Sequence, residues 1–440
     1  MTLTDHIDAI FGPKGWLQQR GGHHLPEQHQ YAHSVIEWIE GQADKPVAMI
    51  EGETGTGKTL GYLFPLLLSV SRGGPGAIVS THTVALQNQI IRSDLEVVRD
   101  YFDDHQLVFP SMAQLLGRQQ FVDPNRVRWL VASADESDPE LELLLEWAEH
   151  SAERDCGLIE QWFEQYGDLP GAIKSEQICM TSESDAEINV GFMACREQAE
   201  TADLIITSHA MIASEMVSGL NLVGIKEEDA RLIVADEADQ LPGAAHNLLN
   251  RRLLLSHLKR LIGPLTLRTS TKSNALEALS TIDELISESQ RMTANTGRDA
   301  QLFEDTEKTN PYFSANVHTL ERLGADLLKS VKRLRLKDSE RHWHEDLVNE
   351  LAWVSNLSAH EPGSFRFPAI GWSRVKRWPS LMAYASTAAP VINRLWRTHT
   401  NRVLMTSATL GAASQGSDAD WRFKQLQSDV GAARDCVQFA

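Results

Sequence analysis

The sequence has 440 residues, 42% of them hydrophobic and 23% charged. That length predicts about three structural units, and no apolar run reaches the roughly 18 residues needed to cross a bilayer, so a membrane role has no support. The formal charge of −19 argues against broad binding to nucleic acid, but twelve acids and one base fall between Asp135 and Asp168, while bases cluster at Lys329, Lys332, Arg333, Arg335 and Lys337 and again at Arg374, Lys376 and Arg377, so any DNA path must be local.

Met1 to Phe11 carries acids and no basic, apolar leader pattern, so a secretory signal is not expected and the chain should stay in the cytoplasm. The first Val- and Ile-rich run, Val47 to Ile50, predicts a buried strand. It leads into Gly52-Glu53-Thr54-Gly55-Thr56-Gly57-Lys58-Thr59, which fits GxxxxGK[ST] and precedes an apolar helix beginning near Leu60. Gly52, Gly55 and Gly57 let backbone amides, with those of Thr54 and Thr56, turn toward phosphates. Lys58 should meet the β- and γ-phosphates of ATP, and Thr59 should ligate Mg2+. The alternative is a glycine-rich turn with no ligand. A second strand, Ala77 to Val79, runs into Thr81-His82-Thr83-Val84-Ala85-Leu86-Gln87. Hydroxyls and amides there suit a DNA backbone, with an ordinary strand-to-helix turn as the competing reading.

Residues 109–202 read as an insertion of acidic amphipathic helices, such as Leu141 to Trp147. The four cysteines, Cys156, Cys179, Cys195 and Cys436, form no CxxC pair and predict reduced thiols. Strands follow at Leu204 to Ile206 and Leu232 to Ala235. The latter ends in Asp236-Glu237-Ala238-Asp239, where Asp236 can hold Mg2+ and Glu237 can polarise water, unless this is a solvated turn. Residues 244–390 read as a second, Leu- and Arg-rich helical insertion. Trp343, Trp372, Trp378 and Trp396 lie near Arg341, Arg374, Lys376, Arg377 and Arg397, either as stacking walls for single-stranded DNA or as core anchors. A last strand, Val403 to Met405, leads into Thr406-Ser407-Ala408-Thr409-Leu410.

The predicted fold is α/β: a RecA-like P-loop NTPase motor domain with a parallel, doubly wound sheet and two largely α-helical insertions. The segments are 1–108 and 203–243 for the motor, 109–202 and 244–390 for the insertions, and 391–440 for a return to the motor core and the start of a second motor domain.

The order of P-loop, Asp-Glu-Ala-Asp and Ser-Ala-Thr resembles superfamily 2 helicases, a resemblance that assigns Asp239, Thr406, Ser407, Ala408 and Thr409 to coupling hydrolysis with strand movement, and Thr81, Thr83 and Gln87 to DNA. Because 177 positions separate Thr59 from Asp236 and 168 separate Asp239 from Ser407, the spacing is wider than in compact DEAD-box RNA helicases and resembles the Rad3/XPD/DinG lineage, with its iron–sulfur and arch insertions. Phe11 to Gly15, Leu25-Pro26-Glu27-Gln28 and Ala202 to Ala210 are similar to DinG segments, and the resemblance makes Gln28 the adenine-reading glutamine. It implies ATP-driven 5′-to-3′ movement on single-stranded DNA. Where cluster-bearing relatives carry the first cysteine after Gly-Arg, Gly117-Arg118 here leads to Asp123, and Val190 takes the place of the last ligand. Cys156 and Cys179, with Cys195 as a poor third, fall short of four thiolates, so no iron–sulfur cluster is expected. A DinG-like motor without these cysteines resembles the CRISPR-associated DinG (CasDinG) helicases of type IV systems, which implies an RNA-guided CRISPR effector complex as partner. A DinG-type repair helicase, a DEAD-box-like RNA remodelling ATPase and a non-hydrolysing scaffold stand as alternatives. No QxxGRxxR-like segment follows Leu410, so the chain is expected to be truncated, able to bind ATP but poor at hydrolysing it.

Overall fold

A computed structural model of the chain describes all residues except 42–44, 133–137, 155, 172, 182–183, 225–230, 263–268, 294–299, 310–312, 333–340, 359–365, 373–378, 398–400, 411–422 and 440. Its strands, in chain order, are β1 (Val47–Glu51), β2 (Ala77–Thr81), β3 (Met112–Gln114), β4 (Leu204–Ser208), β5 (Leu232–Asp236), β6 (Arg251–Leu254), β7 (Ala300–Leu302), β8 (Arg366–Trp372), β9 (Pro379–Ala385), β10 (Arg402–Ser407) and β11 (Val437–Phe439). Two compact units result, Met1–Leu248 with Ala388–Ala440, and Leu249–Thr387.

The first unit is built on a seven-stranded sheet of order β11-β1-β10-β5-β2-β4-β3, parallel at every pairing. The fold class expected from the sequence is the one observed. Helices cover the sheet, so β2 is buried along its whole length and β1, β4 and β5 at their first four residues. Burial on both faces is what gives these strands unbroken apolar runs in place of alternation. Ile7, Ile10 and Phe11 of helix Leu3–Phe11 join Val35 and Trp38 of helix Pro26–Glu40 and Leu63, Phe64 and Leu67 of helix Lys58–Ser71 in one core.

Registers level the carboxyl ends. Ile50 lies opposite Thr406, and Thr406 opposite Asp236, so the residues that follow β1, β10 and β5 meet along one edge. Ligands of open parallel sheets sit at this edge.

Two differences from the sequence expectation are informative. β3, inside the stretch taken as an insertion from residue 109, is an edge strand of the seven-stranded sheet, Met112 pairing with Leu204. Residues 437–439 also join that sheet, alongside β1. The helices after β3 pack around Val127, Leu144, Trp147, Trp162 and Cys179, so Cys179 behaves as a small apolar side chain.

The second unit, expected to be largely helical, contains a four-stranded antiparallel sheet of order β6-β9-β8-β7. Two of its pairings join residues far apart, as Arg251 with Ala383 and Ala300 with Gly371, which no local periodicity reveals, whereas β8 and β9 are neighbours in the chain. Helices Leu255–Ile262, Thr269–Thr293, Phe313–Val331 and Arg341–Val354 supply Leu258, Ile282, Leu320 and Leu351 to a core shared with Ile370 and Leu381 of the sheet.

Candidate functional site

The loop after β1 turns into helix Lys58–Ser71 through Gly57, whose backbone is left-handed at φ 72°. A Cβ there would lie 2.1 Å from Gln28 Nε2, so only glycine serves both the turn and this approach. Gln28 is buried and donates from Nε2 to the Gly57 carbonyl at 2.9 Å, tying helix Pro26–Glu40 to the loop. Lys58 reaches back over the loop and donates from Nζ to the carbonyls of Gly52 at 2.7 Å and Glu53 at 3.1 Å. Burial lowers the Lys58 pKa, an effect opposed by the carboxylates of Asp236, Glu237 and Glu51.

Opposite, Asp236 ends β5. Burial raises its pKa against the donors that favour the carboxylate: Tyr62 Oη, 2.9 Å from Oδ2, and the Glu237 amide, 3.0 Å from Oδ1. Glu237 takes a left-handed conformation, φ 55° and ψ 47°, which costs a residue with a side chain of order 1 kcal/mol or more. Asp239 accepts from Ser407 Oγ at 2.6 Å, and the Gly52 amide donates to the Ser407 carbonyl at 3.2 Å. The Thr409 amide also donates to Ser407 Oγ. Thr406 accepts from the hydroxyl of buried Tyr31 at 2.8 Å. Lys58, Asp236, Glu237, Asp239, Thr406 and Ser407 are thus gathered at one edge; Thr59 opens the helix beside Lys58, and Ala408 lies between Ser407 and Thr409.

The residues expected at DNA are placed differently from one another. Thr81 and Gln87 are fully buried, Thr81 Oγ1 donating to the Thr83 carbonyl and Gln87 accepting from Gln114. Thr83 is exposed and caps helix Val84–Gln89. Arg374, Lys376, Arg377 and Trp378 lie outside the described residues, as do Arg333, Arg335 and Lys337. Trp396 is buried.

Sequence reasoning missed four groups. Tyr31 and Tyr62 were hidden in helical patterns. Asp94 lies in a π-helical turn, Ile90–Asp94; burial and then the nearby Asp236 push its carboxyl up to about 6. His209 sits directly after β4: its Nδ1 accepts from Ser80 Oγ at 2.9 Å, and its Nε2 donates to the Glu237 carbonyl at 3.3 Å, which steadies the left-handed residue. The sequence shows only an Asp-Glu pair after an apolar run; the left-handed turn of Glu237 and its support from His209 appear in the fold alone.

Burial lowers the His209 pKa from 6.5 to about 4. The unfolded chain therefore takes up a proton that the folded protein refuses, and folding stability falls as pH drops from about 6.5 through about 4. His209→Gln is expected to lower Tm at neutral pH and to flatten that acid limb. Thermal melts across this pH range would contradict the account if the slope were unchanged.

In the insertion, Asp123 is buried and accepts from Ser184 Oγ at 2.5 Å and the Asn125 amide at 2.9 Å. Burial pushes the Cys179 thiol up to about 12, and Cys195 Sγ donates to the Gln114 carbonyl. Cys436 lies beside β11, and Val190 is an exposed valine. Asp123 and Val190 thus stand where the resemblance would put cluster ligands, and neither offers a thiolate.

Residues 28–121 match the DEAD/DEAH box helicase family. The chain is 25% identical over 292 residues to the ATP-dependent DNA helicase YoaA of Haemophilus influenzae, an alignment covering 65% of this chain and 44% of that protein. It is 28% identical over 211 residues to the ATP-dependent helicase DinG of Mycobacterium tuberculosis, covering 44% and 31%. Against YoaA of Escherichia coli it is 25% identical over 268 residues, covering 60% and 40%. The chain spans less than half the length of these curated relatives.

Proposed function

We propose, from a DEAD/DEAH helicase domain homologous to DinG and YoaA helicases, that this chain is the nucleotide-binding part of an ATP-dependent DNA helicase acting on single-stranded DNA. The observation that carries the reading is the hydrogen-bonded edge that joins the P-loop to Ser407, Ser407 to Asp239, and helix Lys58–Ser71 through Tyr62 to Asp236. Amides of the Gly52–Thr59 loop would hold the phosphates, aided by the Lys58 ammonium, and Gln28 would stand at the adenine end. Thr59 and Asp236 supply hard oxygen donors suited to Mg2+, and the half-buried, crowded Asp236 carboxylate is a group that a cation would stabilise. Bound there, the ion would offset phosphate charge. Glu237, held by His209, would orient and deprotonate the attacking water.

Residues Thr406 to Thr409 stand between the phosphate loop and the acidic strand end, which supports a coupling role. Thr83 has the exposed hydroxyl suited to a DNA phosphate, whereas Thr81 and Gln87 would support the turn from behind. The 5′-to-3′ direction rests on the family resemblance. We further propose that residues 109–202 fold without a cluster, the hydrogen-bonded Asp123 replacing a ligand by a brace. This substitution supports the reading of an accessory helicase to a type IV CRISPR complex; a DinG-type repair helicase fits the same site.

Hydrolysis of Mg-ATP by the full-length protein should rise several-fold with single-stranded DNA and less with RNA of the same sequence. Equal or greater stimulation by RNA would overturn the DNA assignment in favour of an RNA remodelling ATPase.

A further inference from the structure

Away from the phosphate loop, three side chains of the first unit converge on one point. His29 and His33 lie one turn apart on helix Pro26–Glu40, and Asp8 lies on helix Leu3–Phe11. Both imidazole Nε2 atoms approach the same carboxylate oxygen, Asp8 Oδ1, at 2.8 Å from His29 and 2.9 Å from His33, and the two Nε2 atoms are 3.1 Å apart. The triangle is nearly equilateral.

Protons alone serve this triangle poorly. If both nitrogens carry hydrogens toward Asp8, those hydrogens crowd each other across 3.1 Å. If one nitrogen is bare, its lone pair faces the carboxylate oxygen. A shared cation resolves all three contacts. Ligands at 2.0–2.2 Å from an ion are separated by about 2.8–3.1 Å on an octahedral face and about 3.3–3.6 Å on a tetrahedral one, so the observed spacing is that of three facial ligands. Side-chain exposures of 22% for His29, 34% for His33 and 54% for Asp8 leave the ion a path from solvent and room for water on its open side.

We propose that Asp8, His29 and His33 form a binding site for a divalent transition metal ion, of the zinc, cobalt or nickel kind. Two imidazoles select such ions over Mg2+ and Ca2+, which prefer oxygen-only shells. The bound ion would clamp the first helix to the helix whose Gln28 reaches the Gly57 carbonyl and whose Tyr31 reaches Thr406. Neither of those contacts is needed for the metal to bind, so the site stands apart from the nucleotide reading.

The test is titration of the metal-stripped chain with Co2+ in millimolar Mg2+, read by visible ligand-field absorption and followed by displacement with Zn2+. A single saturable equivalent is expected, displaced by Zn2+, without the near-ultraviolet charge-transfer band of a cobalt–thiolate bond. His33→Gln and Asp8→Asn should each weaken binding by roughly tenfold or more, while His23→Gln, at a histidine outside the triangle, should leave it unchanged. A thiolate band, the absence of saturable binding, or equal affinity in all variants would overturn the proposal.

Discussion

Lys58→Ala is expected to reduce Mg-ATP hydrolysis by the full-length protein by roughly 10²-fold or more, the scale of losing one preorganised electrostatic contact to a transition state. Two consequences of the change can be separated. The Lys58 ammonium now holds the loop together through the Gly52 and Glu53 carbonyls, and losing those bonds to a charged donor should cost only about 1–3 kcal/mol of stability. The larger loss belongs to the phosphates, since the ammonium lies close enough to the Asp236 and Glu237 carboxylates to feel their charge. Steady-state hydrolysis with a thermal melt of the same preparation measures both. A folded Lys58→Ala protein with undiminished DNA-stimulated hydrolysis contradicts the assignment.

Glu237→Gln should separate chemistry from binding. The amide is nearly isosteric with the carboxylate, and the backbone support from His209 Nε2 to the residue-237 carbonyl survives the change. Nucleotide affinity should therefore stay within a few-fold of the parent, while hydrolysis falls by about 10²–10⁴-fold, the usual contribution of a general base. Single-turnover hydrolysis beside fluorescent-nucleotide titration provides the comparison. Parallel loss of affinity and rate would mean that Glu237 acts in binding.

The parts visible in the sequence are those in which backbone and chemistry coincide locally. Gly57 and Lys58 adjoin in the chain because the loop that turns toward phosphate also begins the helix, and Asp236 and Glu237 adjoin because a parallel strand delivers its last residues to the ligand edge. The apolar runs around them were legible as a parallel sheet for the same reason. What stayed hidden depends on distant partners. Tyr62 is 174 positions from Asp236, and Tyr31 is 375 from Thr406, so each reads as one more aromatic on an apolar helix face. Gln87 carried polar character suited to DNA, yet its amide is buried against Gln114 of β3, a strand too short to announce itself. In the second unit the place of β6 was hidden because it finds β9 only after both insertion ends are brought together, whereas β8 and β9 pair locally.

The central claim is that ATP and Mg2+ are held between Lys58 and Asp236. A crystal structure of the chain with a non-hydrolysable ATP analogue and Mg2+ should place the terminal phosphates against the Gly52–Thr59 amides and Lys58 Nζ, with the ion beside Thr59 and Asp236. A nucleotide bound elsewhere, or phosphates with no contact to Lys58, would contradict it.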